Sequence, residues 1–263
     1  MQLQLNNITY TYPEATSPVF SPITATFPQG WTGIIGDNGC GKTTLASIAA
    51  RILKPNSGNI TPALFSVYCP QDSAIAPDNM LDLAYDWGRE GRTIKEALAL
   101  EDDWFWRFDT LSGGQQKRIQ IGCALCARPD VLVMDEPTNN LDAPTRAYVH
   151  DVLANYRGIG ILISHDRALL DSLVEQSLVF EGDCAHMRPG GYTQASTHAE
   201  QDRARAQKER ANAAREVKRL KKEADRRRED AARQKEKRSR AHLDKKDSDG
   251  RERIGRAIVS GKD

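Results

Sequence analysis

The chain has 263 residues, 39% hydrophobic and 28% charged, and its formal net charge of +1 conceals an acidic body (14 basic against 22 acidic residues over 1–198) joined to a basic tail (23 against 14 over 199–263). No run of about 18 apolar residues is present, which argues against a transmembrane helix, and the first residues, Met1 to Thr11, lack a signal-peptide core. Five cysteines, an odd number scattered through apolar surroundings, suit a reduced cytoplasm better than a disulfide framework.

Gln2 to Leu5 and Ile8 to Tyr10 alternate like an edge strand, which Tyr12-Pro13-Glu14 breaks. Val19 to Phe27 reads as a second strand, and Pro28-Gln29-Gly30 turns the chain into a third, Trp31 to Ile35. There follows Gly36-Asp37-Asn38-Gly39-Cys40-Gly41-Lys42-Thr43-Thr44, a fit to G-x-x-x-x-G-K-[ST], the phosphate-binding loop. Thr44 to Leu53 reads as a helix with Leu45, Ile48 and Ile52 on one face. Strand, glycine-rich turn and helix start, in that order, are what the chemistry needs. Gly36, Gly39 and Gly41 let backbone N–H groups turn inward with no Cβ in the way. The helix N-terminus adds partial positive charge for phosphate oxygens. Lys42 then reaches the β- and γ-phosphates, and the Thr43 hydroxyl ligates Mg²⁺. About two dozen residues upstream, Tyr12 is placed to stack on adenine, with Tyr10 in reserve and an ordinary strand tyrosine as the alternative. Stacking of a base on an aromatic ring is worth about 1–3 kcal/mol.

Lys54 to Gly58 ends the first helix, and Ala63 to Cys69 is strand-like. Gln71 follows at the strand end, where its amide can meet Mg²⁺ and an attacking water. Asp78 to Phe108 reads as a small, acidic helical subdomain with Leu81, Leu83, Trp87, Leu98, Leu100, Trp104 and Phe105 on its apolar faces and Trp104-Phe105-Trp106 in its core. Leu111-Ser112-Gly113-Gly114-Gln115 is a second small-residue turn at a helix start, hence a second anion cradle. Cys123 and Cys126 fall within the helix that follows, where core packing is their expected role.

Val131 to Met134 is a strand of the fully buried type, ending in Asp135-Glu136-Pro137. Two carboxylates at the C-terminal end of an α/β strand stand where ligands bind. Asp135 suits Mg²⁺ through a water, and Glu136 suits orienting or deprotonating a water. A helix is expected from Pro144 to Tyr156, then a buried strand from Gly160 to Ser164 ending at His165, which can bridge to a γ-phosphate. Leu178 to Asp183 reads as a closing hairpin. Glu200 to Leu243 is rich in Ala, Arg, Lys, Glu and Gln, a strong helix composition. Such a helix would reach roughly 65 Å. Val217, Leu220 and Ala224 give it only a thin coiled-coil seam.

Together GDNGCGKTT, Gln71, LSGGQ, VLVMDEP, Leu141-Asp142 and Ser164-His165-Asp166 resemble the ATP-binding cassette (ABC) ATPase family in order and spacing, over about residues 1–190. The resemblance implies an α/β fold: a RecA-like parallel sheet of the P-loop NTPase class, an antiparallel β subdomain, and a helical subdomain at about 78–118 carrying LSGGQ. It implies ATP and Mg²⁺ as cofactors, bound by the loop residues Gly36, Asp37, Asn38, Gly39, Cys40, Gly41, Lys42, Thr43 and Thr44 with Asp135. It further implies that Ser112, Gly113, Gly114 and Gln115 serve the opposite site of a head-to-tail pair, so that a second cassette is needed for hydrolysis by Glu136, His165 and Gln71, with Thr43, Gln71 and Asp135 around the metal. Glu136-Pro137-Thr138-Asn139-Asn140-Leu141-Asp142, the short helical insert and the basic tail resemble the ABC-F class, tandem-cassette proteins acting on the ribosome as translation factors or in antibiotic resistance. In that reading the arm 199–263 tracks RNA phosphates through residues such as Arg226, Arg227, Arg228, Arg238 and Arg240. The stretch from Lys245 to Asp263 resembles the end of an inter-cassette linker, and the chain is then a fragment, or pairs with a separate cassette. The alternatives are the ATP-binding subunit of a membrane transporter and a degenerate nucleotide-binding module.

Overall fold

The computed structural model describes residues 1–139, 141–241 and Glu252, with backbone alone for 236–241. The chain divides into two units, Met1–Glu200 and Gln201–Asp263. Asn140, the side chains of Arg238 and Arg240, and the ending from Lys245 to Asp263 (Glu252 apart) lie outside the described residues.

Two sheets organise the first unit. A three-stranded antiparallel sheet has the order β2-β1-β4, with β1 at Gln2–Thr9, β2 at Ile23–Pro28 and β4 at Ser57–Thr61. A six-stranded sheet has the order β5-β6-β7-β3-β8-β9: Ser66–Cys69, Val131–Asp135, Ile159–Ile163, Gly30–Ile35, Val174–Glu181 and Cys184–Pro189. Its first five strands are parallel, and β9 closes it antiparallel to β8. The middle strands β6 and β7 are buried at every position, as expected of strands covered on both faces.

One core lies between the sheets and the helix α1 (Lys42–Ala49), built on Leu3, Leu5, Ile8, Phe27, Leu45 and Ile48. A second covers the opposite face, where Leu132, Met134 and Leu162 meet Val149 and Leu153 of α5 (Ala143–Ala154) and Leu170 of α6 (Arg167–Leu173). A third fills the helical insert, where α2 (Met80–Tyr85), α3 (Arg89–Ala97) and two 3-10 turns (Asp102–Trp106, Phe108–Thr110) precede α4 (Gly113–Cys126). Helix α7 runs from Tyr192 to Ala241.

Several expectations are corrected. The first strand is not an edge. It lies central in its sheet, because the polar stretch Ser57–Thr61 pairs along its far side. Strand β2 begins at Ile23, not Val19. Helix α1 stops at Ala49; Arg51 takes a left-handed φ of 62°, Leu53 packs inward, and Ile52 is left exposed. The insert is two short helices and two 3-10 turns, with Leu81, Trp87 and Trp106 on the surface and Leu83, Leu98, Trp104 and Phe105 inside. Cys123 is buried and its thiol is pushed up by desolvation, while Cys126 is half-buried.

Candidate functional site: a phosphate loop beside two strand-end carboxylates

The loop Gly36–Gly41 leaves β3 and enters α1. Gly41 caps the helix with φ 101°. A Cβ there would stand 2.7 Å from Val19 Cγ1 and 2.8 Å from Phe20 Cδ1, so both the dihedral and the space demand glycine. Gly36 is closed off by Phe180, 2.7 Å from where its Cβ would be. The Lys42 ammonium donates to the carbonyls of Gly36 and Asp37, both at 2.9 Å, which holds its charge over the loop.

Parallel pairing of β6 with β7 brings the next groups to the loop. The Thr43 hydroxyl donates to Asp135 Oδ2 at 2.9 Å across 92 residues of chain. Asp135 is 2% exposed and Glu136 7%. Glu136 adopts φ 50°, unusual for a side chain of its size, and its N–H bonds Ile163 O at 2.8 Å. Glu136 Oε2 accepts from the His165 backbone N–H at 3.1 Å. Its Oε1 is buried without a hydrogen-bond partner, 3.6 Å from His165 Nε2. Burial raises the Glu136 pKa above the usual carboxylate range, opposed by the His165 N–H and ring. A buried carboxylate with one unpaired oxygen and a raised pKa is suited to accept a proton from water.

Lys42, Thr43, Asp135 and Glu136 line one cavity of about 720 Å³ with Asn38, Gly39 and Gly41, and Tyr12, Thr44, Gln71 and His165 are also in its wall. Tyr12 is fixed there by a 2.9 Å hydrogen bond to the Thr44 hydroxyl and an edge-on contact with Tyr10, and the residue remains 45% exposed. Asp37 and Cys40 frame the loop; Cys40 N–H bonds Asp37 O. Ser112, Gly113, Gly114 and Gln115 are not part of the cavity wall. Ser112 instead caps α4, and it and Gln115 form a reciprocal capping box.

The residues fit Mg²⁺. Among the described residues no cluster of three or more His, Cys, Asp or Glu could hold a metal alone. A hydroxyl and one carboxylate joined at 2.9 Å are what Mg²⁺ takes from protein when phosphates supply the rest.

Sequence reading missed three supports. Lys117 of α4, 2% exposed, donates to the carbonyls of Pro70 (2.6 Å) and Gln71 (3.2 Å), and burial lowers its pKa. Gln120, one turn on, donates to Asp72 O (2.9 Å) and Ile75 O (2.7 Å). The helix begun by Ser112 thus holds the Gln71 loop. The third, Tyr68, donates to Asp135 Oδ2 at 2.8 Å. Each bridges more than 40 residues of chain, and no local pattern marks it.

A glycine loop at a helix start, a lysine over it, and paired carboxylates at the end of the parallel strand one removed from it define a P-loop nucleoside-triphosphate-binding protein. The family model described as ABC transporter matches residues 20–139. The chain is 35% identical over 193 residues to a putative ABC transporter ATP-binding protein of Nitratidesulfovibrio vulgaris, covering 62% of this chain and 70% of that protein. It is 32% identical over 188 residues to the ribosome protection protein VmlR of Bacillus subtilis, covering 68% of this chain and 32% of that protein. Its fold matches a dimeric ATP-binding cassette, MJ0796, solved with ADP and Pi, with a TM-score of 0.60 at 18% identity, over 71% of this chain and 98% of that one. The chain belongs to the ABC ATPase family, whose cassettes bind ATP with Mg²⁺.

Proposed function

We propose that the chain hydrolyses ATP to ADP and phosphate at a site completed by the LSGGQ segment of a second cassette, and that it works as half of an ABC-F-type protein on the ribosome. The observation that carries the chemistry is the buried, unpartnered Glu136 Oε1 beside the Thr43–Asp135 pair. In this reading the loop N–H groups and Lys42 bind the β- and γ-phosphates, and Tyr12 stacks on the adenine. Thr43 and Asp135, with Gln71, hold Mg²⁺, which neutralises charge developing on the phosphates. Glu136 takes the proton of the attacking water, and His165 and Gln71 orient the water against the γ-phosphate. Ser112, Gly113, Gly114 and Gln115 stand apart from their own chain's cavity, which supports their serving a partner's nucleotide: the α4 N-terminus then faces the γ-phosphate and closes the site to water. The test is concentration dependence. Specific ATPase activity is expected to rise with chain concentration, and Ser112→Arg is expected to abolish activity while leaving ATP binding to the same chain intact. A constant specific activity insensitive to Ser112→Arg overturns the composite site.

Support for the ribosomal role comes from the EPTNNLD run, the short insert and the Arg-rich helix α7, together with the likeness to VmlR. Arg226, Arg227 and Arg228 are exposed in the described helix, and Glu223 pairs with Arg227. Binding through phosphates releases counterions, so affinity should fall linearly with salt on a log–log scale. Arg226/Arg227/Arg228→Glu is expected to weaken cosedimentation with ribosomes by at least about tenfold and to flatten that slope. Unchanged cosedimentation argues instead for a transporter subunit, the reading favoured by the likeness to the N. vulgaris protein, and copurification with an integral membrane protein would support it.

A further inference from the structure

We propose that Tyr68 is a positioning residue for Mg²⁺: its phenol fixes the orientation of the Asp135 carboxylate that holds the metal. The inference rests on the nucleotide reading above. Tyr68 lies on β5 at the register position opposite Val133, next to the strand that ends in Asp135. Its hydroxyl donates to Asp135 Oδ2 at 2.8 Å, and the Thr43 hydroxyl donates to the same oxygen at 2.9 Å. Both donors converge on Oδ2, so two hydroxyls from different elements fix the orientation of the carboxylate. The acceptor is 2% exposed, and away from water a hydrogen bond to a carboxylate is stronger than at the surface.

The phenol cannot do this by touching nucleotide. Tyr68 is absent from the wall of the nucleotide cavity and lines a separate groove of about 750 Å³ with Cys69, Asn79 and Gln120. It therefore acts on the site through Asp135, without lining the nucleotide cavity itself. The arrangement is an outer-layer partner of a metal-holding carboxylate, and loss of such a partner typically costs 10–100-fold in metal affinity or activity. Because Mg²⁺ is held largely by phosphates and water, the lower end of that range is expected here.

The test compares Tyr68→Phe with the parent as full chains, measuring ATP affinity in Mg²⁺ and in EDTA, and the Mg²⁺ (or Mn²⁺, read by EPR) concentration for half-saturation at fixed ATP. Tyr68→Phe should raise that concentration about tenfold and leave affinity in EDTA unchanged, a split that mere loosening of the strand would not produce. In an Asp135→Asn background, Tyr68→Phe should add no further shift. A parent that binds MgATP while Tyr68→Phe alters the metal midpoint by less than twofold overturns the positioning role alone. A Tyr68→Phe chain that loses affinity equally with and without metal also overturns it, by assigning the phenol to packing. A parent that binds no ATP overturns the nucleotide reading, and this inference with it.

Discussion

Glu136→Gln is expected to cut ATP turnover at least about 100-fold while preserving ATP binding, since a positioned general base contributes roughly 10²–10⁴-fold to rate. The amide keeps the shape of the carboxyl and can still accept from the His165 N–H, so the 3.1 Å bond survives. What disappears is the proton acceptor at the unpartnered Oε1. With hydrolysis stopped, two-cassette species should accumulate with ATP and be visible by size-exclusion chromatography. The pH dependence has a defined sign. Burial raises the Glu136 pKa, so the acid limb of the parent's rate profile should lie above the ordinary glutamate value, and the Gln variant should lack it. The native state also holds a proton that the unfolded chain has released over the window between those two values. Stability contributed by this group is therefore lost as pH rises through that window. At neutral pH the nucleotide-free Gln variant should melt above the parent, and the two melting temperatures should converge on acidification. A variant that turns over ATP like the parent would remove Glu136 from the chemistry.

The candidate site was legible where a residue's chemistry is also its sequence signature. Gly39 and Gly41 take left-handed dihedrals, and a lysine and threonine after the last glycine fall at a helix start by necessity. Asp135 and Glu136 could be placed because an apolar run of four marks a buried parallel strand, and carboxylates directly after it fall at the C-terminal edge where ligands bind. The fold was less legible where pattern and role part company. Strand β4 has one apolar residue in five, Ile60, and its first two residues read as part of the stretch that ends the first helix; only its pairing to β1 makes it a strand. Ile52 fits a helical face by spacing, yet the left-handed Arg51 turns it outward. Trp106 sits beside buried Trp104 and Phe105, but the 3-10 turn that carries all three points it to solvent, where its ring meets exposed Tyr85 at 5.7 Å. Lys117 and Gln120 look like solvated helix residues because the carbonyls they satisfy come from a loop more than 40 residues earlier.

Lys42→Ala is expected to lower ATP affinity by about two orders of magnitude and to abolish turnover with it. The ammonium bonds two loop carbonyls at 2.9 Å, so its charge is anchored at the loop before phosphate arrives. A hydrogen bond to a charged group is worth about 1.5–3 kcal/mol, and contacts to the β- and γ-phosphates together account for the expected loss. The effect should depend on the number of phosphates: large for ATP, smaller for ADP, and near zero for AMP, which lacks both the β- and the γ-phosphate. Equilibrium binding of the three nucleotides, read by calorimetry, checks that gradient. Gly41→Ala provides the contrast. Its Cβ would press on Val19 and Phe20, and the residue would have to hold φ 101°, so affinity should fall together with melting temperature. Lys42→Ala, whose side chain fills no core but gives up two bonds to partly exposed loop carbonyls, should lower the melting temperature of the nucleotide-free chain far less than Gly41→Ala does. Loss of grip with little loss of frame thus separates the lysine's electrostatic part from the glycine's steric one. Parent-like ATP affinity in Lys42→Ala would mean that the triphosphate is held elsewhere on the molecule.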